Sequence, residues 1–203
     1  MICMLNCSYK GKSSNSRYFL GLLEKELEQL SCDQCEVIDI KSVLTGDIEA
    51  FINKMSQMQA LVIGAPLYVD GLPAQVIKLL ELLMQNGREQ FPELKVYAIS
   101  NLGFYEAEQI IHLFDIVENW CIKMGAQYGG GVAVGAGPMV RIVKEKLPGI
   151  NLNKQTDNGI KTLAEAVSKG NVISNQYCKT VIPRWIYLMA AHNMFRKEIR
   201  KNK

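Results

Sequence analysis

Residues 1–20 read MICMLNCSYKGKSSNSRYFL, and the fold can be inferred outward from them. The first five residues are apolar and favour extended structure, which predicts a short buried strand. The next eleven are rich in hydroxyl, amide and lysine side chains, as is typical of a loop. Apolar residues then recur with the spacing of a buried helix face, at Phe19, Leu23, Leu27 and Leu30. The segment predicts strand, loop and helix, with Ser14, Asn15 or Ser16 as the helix N-cap.

The junction between this loop and this helix suits an anion. A helix N-terminus presents unpaired N–H groups and the positive end of the helix dipole. The loop adds hydroxyl and amide donors, and Lys10 or Lys12 adds a positive charge. No GxGxxG fingerprint is present, and no G-K-[ST] triplet follows a glycine-rich stretch. Taken alone, these residues are explained better by an ordinary loop with a serine cap.

Composition and charge are those of an ordinary globular protein. Of the 203 residues, 48% are hydrophobic and 21% charged, enough for one domain with a well-formed core. The net charge of +3 comes from the basic C-terminal end, so no nucleic-acid-binding face is predicted. No segment has the roughly 18 apolar residues of a membrane span, and no cleavable leader is recognised. We therefore expect a cytoplasmic protein with no membrane or nucleic-acid partner.

The spacing of cysteines and histidines predicts no metal site. The six cysteines are expected to be reduced thiols in a cytoplasmic protein. Cys32 and Cys35 form a close pair, but no second pair and no nearby histidine completes a zinc or cluster site. A redox role for this pair stays open. His112 and His192 have no carboxylate or cysteine at a catalytic spacing and are predicted to be structural.

Strands and helices alternate along the chain. The predicted strands are 1–5, 36–40, 60–65, 94–100 and 129–135. The third is continuously apolar, as in a strand buried on both faces of a parallel sheet, and the glycines of the fifth indicate close packing. The alternation predicts a doubly wound five-stranded parallel sheet in one domain, 1–203. Residues 1–135 would form the core, and 136–203 a C-terminal extension with helices near 139–146, 159–169 and 183–201.

Three loops are expected to meet at one edge of the sheet. Ligands of open parallel sheets bind beyond the carboxyl ends of the strands, where the strand order reverses. In the order 2-1-3-4-5, the loops 6–16, 66–71 and 101–105 follow neighbouring strands and therefore converge. Loop 66–71 has an aromatic residue, proline stiffening and free backbone N–H groups, which suit a flat apolar ligand. Loop 101–105 adds an amide, a glycine and two aromatic residues. Taken alone, each of these two loops is explained equally well as a plain turn.

In order and spacing, the three loops resemble those of the NAD(P)H-dependent FMN reductase family. That family belongs to the flavodoxin-like superfamily, with quinone reductases and azoreductases. The resemblance covers about residues 1–135 and rests on Ser8, Ser14-Asn15-Ser16, Pro66-Leu67-Tyr68, Leu72-Pro73-Ala74-Gln75, Lys78 and Ser100-Asn101-Leu102-Gly103-Phe104. The chain departs from the family pattern where relatives often open the first loop with Gly-Ser and an arginine.

The resemblance implies a flavodoxin-like fold that binds FMN. The first loop would hold the FMN phosphate through Ser8, Lys10, Ser14, Asn15 and Ser16. The isoalloxazine ring would lie along Pro66, Leu67, Tyr68, Val69 and Asp70. Its other edge would be closed by Ser100, Asn101, Leu102, Gly103 and Phe104. No catalytic acid, base or nucleophile is predicted, because the flavin carries the reaction.

The implied activity is hydride transfer from NADH or NADPH through FMN to a quinone, flavin, azo or nitro compound, or a protein acceptor. The resemblance also implies a homodimer, which the apolar residues of the last predicted helix favour. Two alternative functions belong to other classes of protein. An FMN-binding electron-transfer protein would usually carry an acidic docking face, against which the near-neutral body argues. An interaction module without flavin would lack flavin absorbance.

Overall fold

A six-stranded parallel sheet forms the centre of the molecule. A computed structural model describes residues 1–32, 34–146 and 153–201. The strands are β1 (Ile2–Asn6), β2 (Cys35–Asp39), β3 (Ala60–Pro66), β4 (Lys95–Asn101), β5 (Gln127–Val134) and β6 (Gln176–Cys178). Their order is β2-β1-β3-β4-β5-β6, and all neighbours are parallel. The predicted doubly wound sheet in the order 2-1-3-4-5 is confirmed, but the strand count of five is wrong.

Helices cover both faces of the sheet. They are α1 (Asn15–Gln29), α2 (Ile40–Thr45), α3 (Ile48–Met55), α4 (Ala74–Gly87), α5 (Ile111–Met124), α6 (Gly137–Lys146), α7 (Lys154–Lys169) and α8 (Arg184–Lys201). The helices α2 to α5 bury their apolar residues on one face, and α1, α6 and α7 on the other. Leu30, expected on the buried face of α1, lies just beyond the end of the helix and is 42% exposed.

The strands β1 and β3 are almost entirely apolar because both of their faces are covered. In β1, Cys3 and Leu5 pack on the side of α2 to α5, whereas Ile2 and Met4 pack on the side of α1 and α7. Side chains alternate between the two faces of a strand, so a strand with two covered faces needs an apolar residue at almost every position. This requirement explains the continuous apolar runs that identified β1 and β3 in the sequence.

The sixth strand belongs to the segment that was expected to be a helical extension. The strand β6 has three residues and pairs with positions 132–134 of β5. Two of its residues, Gln176 and Tyr177, are only half-buried. A strand this short, with a polar first residue, shows neither alternation nor a continuous apolar run. The described residues after 135 therefore supply the edge of the sheet as well as the helices α6, α7 and α8.

Close packing explains the glycines of β5. A Cβ atom at Gly129 would overlap the ring of Tyr97, and one at Gly131 would lie 2.8 Å from the ring of Phe114. Gly130 has a φ angle of +102°, which side-chain-bearing residues rarely adopt. The close approach predicted from this glycine-rich strand is confirmed.

Trp120 and the two histidines lie in different environments. Trp120 is buried, and its Nε1 donates to the Leu80 carbonyl at 3.0 Å. His112 and His192 are exposed on α5 and α8. In the part of the chain that the structure describes, no three metal-ligating side chains cluster. None of the described helices combines the length and apolar character needed to cross a bilayer.

We predict that Tyr97→Phe lowers the free energy of unfolding by about 0.5–1.5 kcal/mol, the usual net contribution of a hydrogen bond. Tyr97 is fully buried, and its hydroxyl donates to the carbonyls of Ala166 at 3.1 Å and Asn171 at 2.8 Å. Burial raises the pKa of Tyr97 to about 12. The measurement is urea denaturation, with Tyr9→Phe as the control because Tyr9 is 78% exposed. Equal stability of the Tyr97 variant and the wild type would contradict the prediction.

Candidate functional site

The loop after β1 turns into the helix at Ser14. A single tight helical turn, Gly11–Ser13, precedes this residue. The Ser14 Oγ accepts a hydrogen bond from the backbone N–H of Arg17 at 3.0 Å, so Ser14 is the N-cap, one of the three predicted candidates. Within the described chain, the backbone N–H groups of Asn15 and Ser16 have no acceptor. The first turn of α1 thus offers two free donors.

Asn6, the last residue of β1, holds this loop in place through hydrogen bonds of its side chain. Its side chain is fully buried, and its Nδ2 donates to the Gly11 carbonyl at 3.1 Å and to Asp39 Oδ1 at 2.6 Å. Its Oδ1 accepts from the backbone N–H of Ser8 at 3.4 Å and from the Ser14 hydroxyl at 3.3 Å. The sequence showed Asn6 only as one polar residue in a polar loop, so this structural role was not predicted.

Arg141 reaches the same loop from α6. Its Nη1 donates to the Ser13 carbonyl at 2.9 Å, while its Nε pairs with Glu145 at 2.8 Å. The guanidinium also lies 5.1 Å from the centre of the Tyr18 ring. Arg141 therefore brings a positive charge beside the loop, from a position 128 residues further along the chain. Nothing in the local sequence indicated this contact.

The loop after β3 is a tight turn. The backbone N–H of Tyr68 donates to the Gly71 carbonyl at 2.9 Å, and the N–H of Gly71 donates back at 3.1 Å. Between them, Val69 and Asp70 have φ angles of +47° and +60°, in the left-handed region. The Leu67 N–H donates to a carbonyl of β4 at 2.9 Å. The expectation of free backbone N–H groups in this loop is therefore wrong for Leu67, Tyr68 and Gly71. The N–H of Leu67 pairs with β4, and the N–H groups of the other two close the turn.

The loop after β4 is fixed on two sides. Asn101 is buried, and its Nδ2 donates to the Ser16 hydroxyl at 3.0 Å, which ties the end of β4 to the start of α1. The carbonyls of Leu102 and Phe104 accept the backbone N–H groups of residues 137 and 136, at 2.9 and 2.6 Å. The start of α6 is thereby held against the end of β4.

The segment before α8 and the first turn of α8 contact the loop after β4. The Tyr187 hydroxyl donates to the Gly103 carbonyl, and the Tyr105 hydroxyl donates to the Ile182 carbonyl at 2.9 Å. The two tyrosine rings lie 5.6 Å apart. Burial, followed by the charge of Glu106, raises the pKa of Tyr187 above its usual value, so its hydroxyl stays protonated as a donor. Nothing in the local sequence indicated this contact of Tyr187.

The three loops enclose a cavity of about 210 Å³. It is lined by Ser8, Lys10, Ser14, Asn15, Ser16, Pro66, Leu67, Tyr68, Asn101, Leu102, Gly103 and Pro138. Eleven of these twelve are among the fifteen residues selected from the sequence; Pro138, in the first turn of α6, is the exception. The structure thus brings residues of the three loops together, while their role in binding stays a prediction.

Four predicted site residues lie outside the cavity lining: Val69, Asp70, Ser100 and Phe104. Val69 is 99% exposed and Phe104 65% exposed, beside the opening. Ser100 is fully buried within β4, and its Oγ has no partner among the described residues. Neighbouring side chains of a strand point to opposite faces, so Ser100 points away from the cavity that Asn101 lines. Binding roles for these four also stay predictions.

The cavity offers donors rather than acid–base chemistry. Burial raises the pKa of the Cys7 thiol far above its usual value, so it is not an activated nucleophile. No histidine and no carboxylate is among the described residues that line the cavity. What the residues provide are serine hydroxyls, amide groups, free backbone N–H groups and the Lys10 ammonium, which together suit an anionic group next to an apolar wall.

Comparisons with known proteins find similarity in structure alone. No protein-family model matches the sequence, and no curated protein sequence matches it. A flavodoxin from Streptococcus pneumonia TIGR4 is 15% identical with a TM-score of 0.59, over 83% of this chain and 98% of that one. A Fusobacterium nucleatum flavodoxin bound to flavin mononucleotide is 14% identical with a TM-score of 0.56, over 84% and 98%.

An enzyme is among the similar structures as well. An azoreductase from Bacillus anthracis str. Sterne is 11% identical with a TM-score of 0.56, over 83% of this chain and 98% of that one. At such identities the similarity shows the fold. The flavodoxin-like fold that the sequence resemblance implied is thereby confirmed.

We predict that Asn6→Ala loosens the first loop and lowers the free energy of unfolding by about 1–3 kcal/mol, because the groups paired with Asn6 lose their partner. Hydrogen exchange of the backbone amides at 7–14 should accelerate relative to the wild type. The control is Asn119→Ala, which removes an exposed amide that donates to the Asp115 carbonyl at 2.8 Å. Wild-type exchange in the loop of the Asn6 variant would show that Asn6 does not organise it.

Proposed function

We propose that the protein is a flavoprotein oxidoreductase that binds FMN and takes a hydride from NADH or NADPH. The observation that carries this proposal is the cavity formed by the loops after β1, β3 and β4. The cavity lies at the carboxyl ends of the strands, at the point of a doubly wound sheet where ligands bind. The similar flavodoxin bound to flavin mononucleotide supports FMN as the ligand, and the azoreductase supports an oxidoreductase.

The first loop fits the FMN phosphate. The N–H groups of Asn15 and Ser16 and the dipole of the fifteen-residue helix α1 favour a dianion at this position. The hydroxyl of Ser8 and the ammonium of Lys10 are the further donors of the cavity wall on this side. Arg141 adds a positive charge nearby, through its contact with the Ser13 carbonyl. The described lining contains no carboxylate to oppose the phosphate.

The other two loops fit a flat ring. Pro66, Leu67 and Leu102 supply apolar surface, and the Asn101 amide is a polar group among them. Tyr68 is 46% exposed and stands at the opening. When bound, FMN supplies the hydride chemistry, and the protein supplies orientation and the polarity around the ring. This division explains why the cavity needs no acid, base or nucleophile of its own.

We also propose a homodimer that passes electrons to a small-molecule acceptor. The helix α8 supports the dimer because it leaves large apolar side chains exposed, among them Trp185 at 63%, Met189 at 56% and Ile199 at 58%. Apolar surface of this kind is usually covered by a partner.

We predict that Ser14→Asp abolishes FMN retention and leaves the fold intact. Ser14 lines the cavity and caps α1, and aspartate also caps helices, so the helix should persist. The added carboxylate would face the FMN phosphate at short range and repel it. Flavin absorbance of the purified variant measures the effect, and circular dichroism checks the fold. The matched control, Ser168→Asp, adds the same charge near the end of α7, and flavin content equal in both variants would refute the phosphate site.

The hydride step has its own test. We expect NADH or NADPH to bleach the bound flavin in anaerobic stopped-flow measurements without an added acceptor, faster than either bleaches free FMN. Enzymes that take a hydride directly hold the nicotinamide against the flavin, which raises the rate through proximity and orientation. If neither nucleotide exceeds the rate with free FMN, the protein is an FMN-binding electron carrier instead.

A further inference from the structure

A second and larger cavity lies beside the cavity of the three loops, beneath α8. Its volume is about 840 Å³, within the range of roughly 300–1,000 Å³ that is usual for small-molecule sites. The helices α6 and α8 and residues 103–104 form its sides, and we call it the α8 groove. Gly103 and Pro138 line both cavities, so the groove begins where the proposed flavin site ends.

The walls of the α8 groove are apolar. Met139 and Ile142 come from α6, Leu188 and Phe195 from α8, and Phe104 from the loop after β4. Ile142 is 49% exposed and Phe195 56% exposed, so each leaves apolar surface for a ligand to cover. A compact aromatic molecule would cover this surface. NADH and NADPH suit it less, because their riboses and phosphates need a series of polar partners.

The far end of the groove is basic. Lys146 and Lys197 belong to the lining, which contains no carboxylate among the described residues. On α6, Lys144 pairs with Asp157, whereas no ion pair of Lys146 or Lys197 occurs in the described part of the chain. An anionic group in the groove would therefore meet ammonium groups and no opposing carboxylate of the described lining.

The distance between the two ends sets the length of the ligand. Lys146 follows Pro138 by eight residues on α6, which corresponds to about 12 Å along the helix axis. Lys197 follows Tyr187 by ten residues on α8, or about 15 Å. Both helices begin beside the loop after β4, where Leu102 accepts from the N–H of residue 137 and Gly103 from Tyr187, so both lysines lie away from that loop. This span accommodates a system of two or three rings with an acidic substituent.

The start of α8 is anchored to the proposed flavin loop. The Tyr187 hydroxyl donates to the Gly103 carbonyl, and Arg184 pairs with Glu106 at 2.9 Å. These contacts hold the beginning of α8 beside the loop after β4.

We propose that the α8 groove binds the electron acceptor, and that the acceptor is a flat aromatic molecule carrying a carboxylate or sulfonate. Its ring would lie at Gly103 and Pro138, and its anion at Lys146 and Lys197. The acceptor role rests on the proposed function, which supplies the electrons. In the overall reaction, NADH or NADPH gives up a hydride, and the acceptor takes up two electrons and two protons, one of the protons coming from solvent.

Binding is tested first, with redox-inert probes on the flavin-loaded protein. Calorimetry with naphthalene-2-sulfonate and neutral 2-naphthol should show one site for each. Ile142→Asn should weaken both about tenfold through lost apolar contact. The double variant Lys146→Gln/Lys197→Gln should weaken only the sulfonate, by about fivefold, the size expected of two exposed ion pairs. The controls are Ile122→Asn and Lys123→Gln on α5, where Ile122 is 70% exposed.

The acceptor role is tested with 1,4-naphthoquinone-2-sulfonate. Its KM should rise in the lysine double variant, while the rate of flavin reduction by NADH or NADPH stays at the wild-type value. If the flavin is reduced normally but the probes bind all variants equally, the groove proposal is overturned and the proposed function stands. If the probes bind as expected but no nucleotide reduces the flavin, both the proposed function and the acceptor role are wrong. The groove is then an anion-selective binding site only.

A second copy of the chain is the competing occupant of the groove. Sedimentation of the wild type and of Ile142→Asn distinguishes the two cases. A dimer that becomes a monomer on this substitution, together with no probe binding to the wild type, would make the groove a subunit interface and overturn the proposal.

Discussion

The buried side chain of Asn6 is the contact on which the candidate site depends. A buried amide is costly unless its donors and its acceptor are all paired, and here Nδ2 makes two hydrogen bonds and Oδ1 accepts two. One partner is Asp39, at the carboxyl end of β2. The others are Gly11, Ser8 and Ser14 of the loop, so the same amide joins two neighbouring strands to the start of α1. The direction of α1, and with it the position of its free N–H groups, follows from this pairing.

The contacts continue from α1 across the whole edge of the sheet. Ser16, the second residue of the helix, accepts a hydrogen bond from Asn101 at the end of β4. The next carbonyls of that loop hold the start of α6, and the Gly103 carbonyl accepts from Tyr187 of α8. Each step is a hydrogen bond between elements distant in sequence. The shape of the cavity therefore depends on the complete fold and would not persist in an isolated loop.

The sequence predicted those features that depend on local patterns. Continuous apolar runs located the central strands, and the serine cap located the start of α1, because burial on two faces and helix capping leave local signals. Contacts between positions distant in sequence left no local signal, so the places of Arg141, Pro138 and Tyr187 at the site were missed. Ser100 is a different case, since the alternation of side chains in β4 already implied that it and Asn101 face opposite ways. The short strand β6 lacked both alternation and an apolar run.

The two sides of the cavity opening are held by different kinds of interaction. On one side, the turn after β3 keeps Val69 in the left-handed region, where a β-branched residue is strained. The paired hydrogen bonds between Tyr68 and Gly71 maintain this turn, and they are entirely local. On the other side, the loop after β4 is held by α6 and α8 from the far end of the chain. A ring bound between them would thus lie between a strained local turn and a wall set by tertiary contacts. The helices α6 and α8 therefore belong to the site as much as to the scaffold.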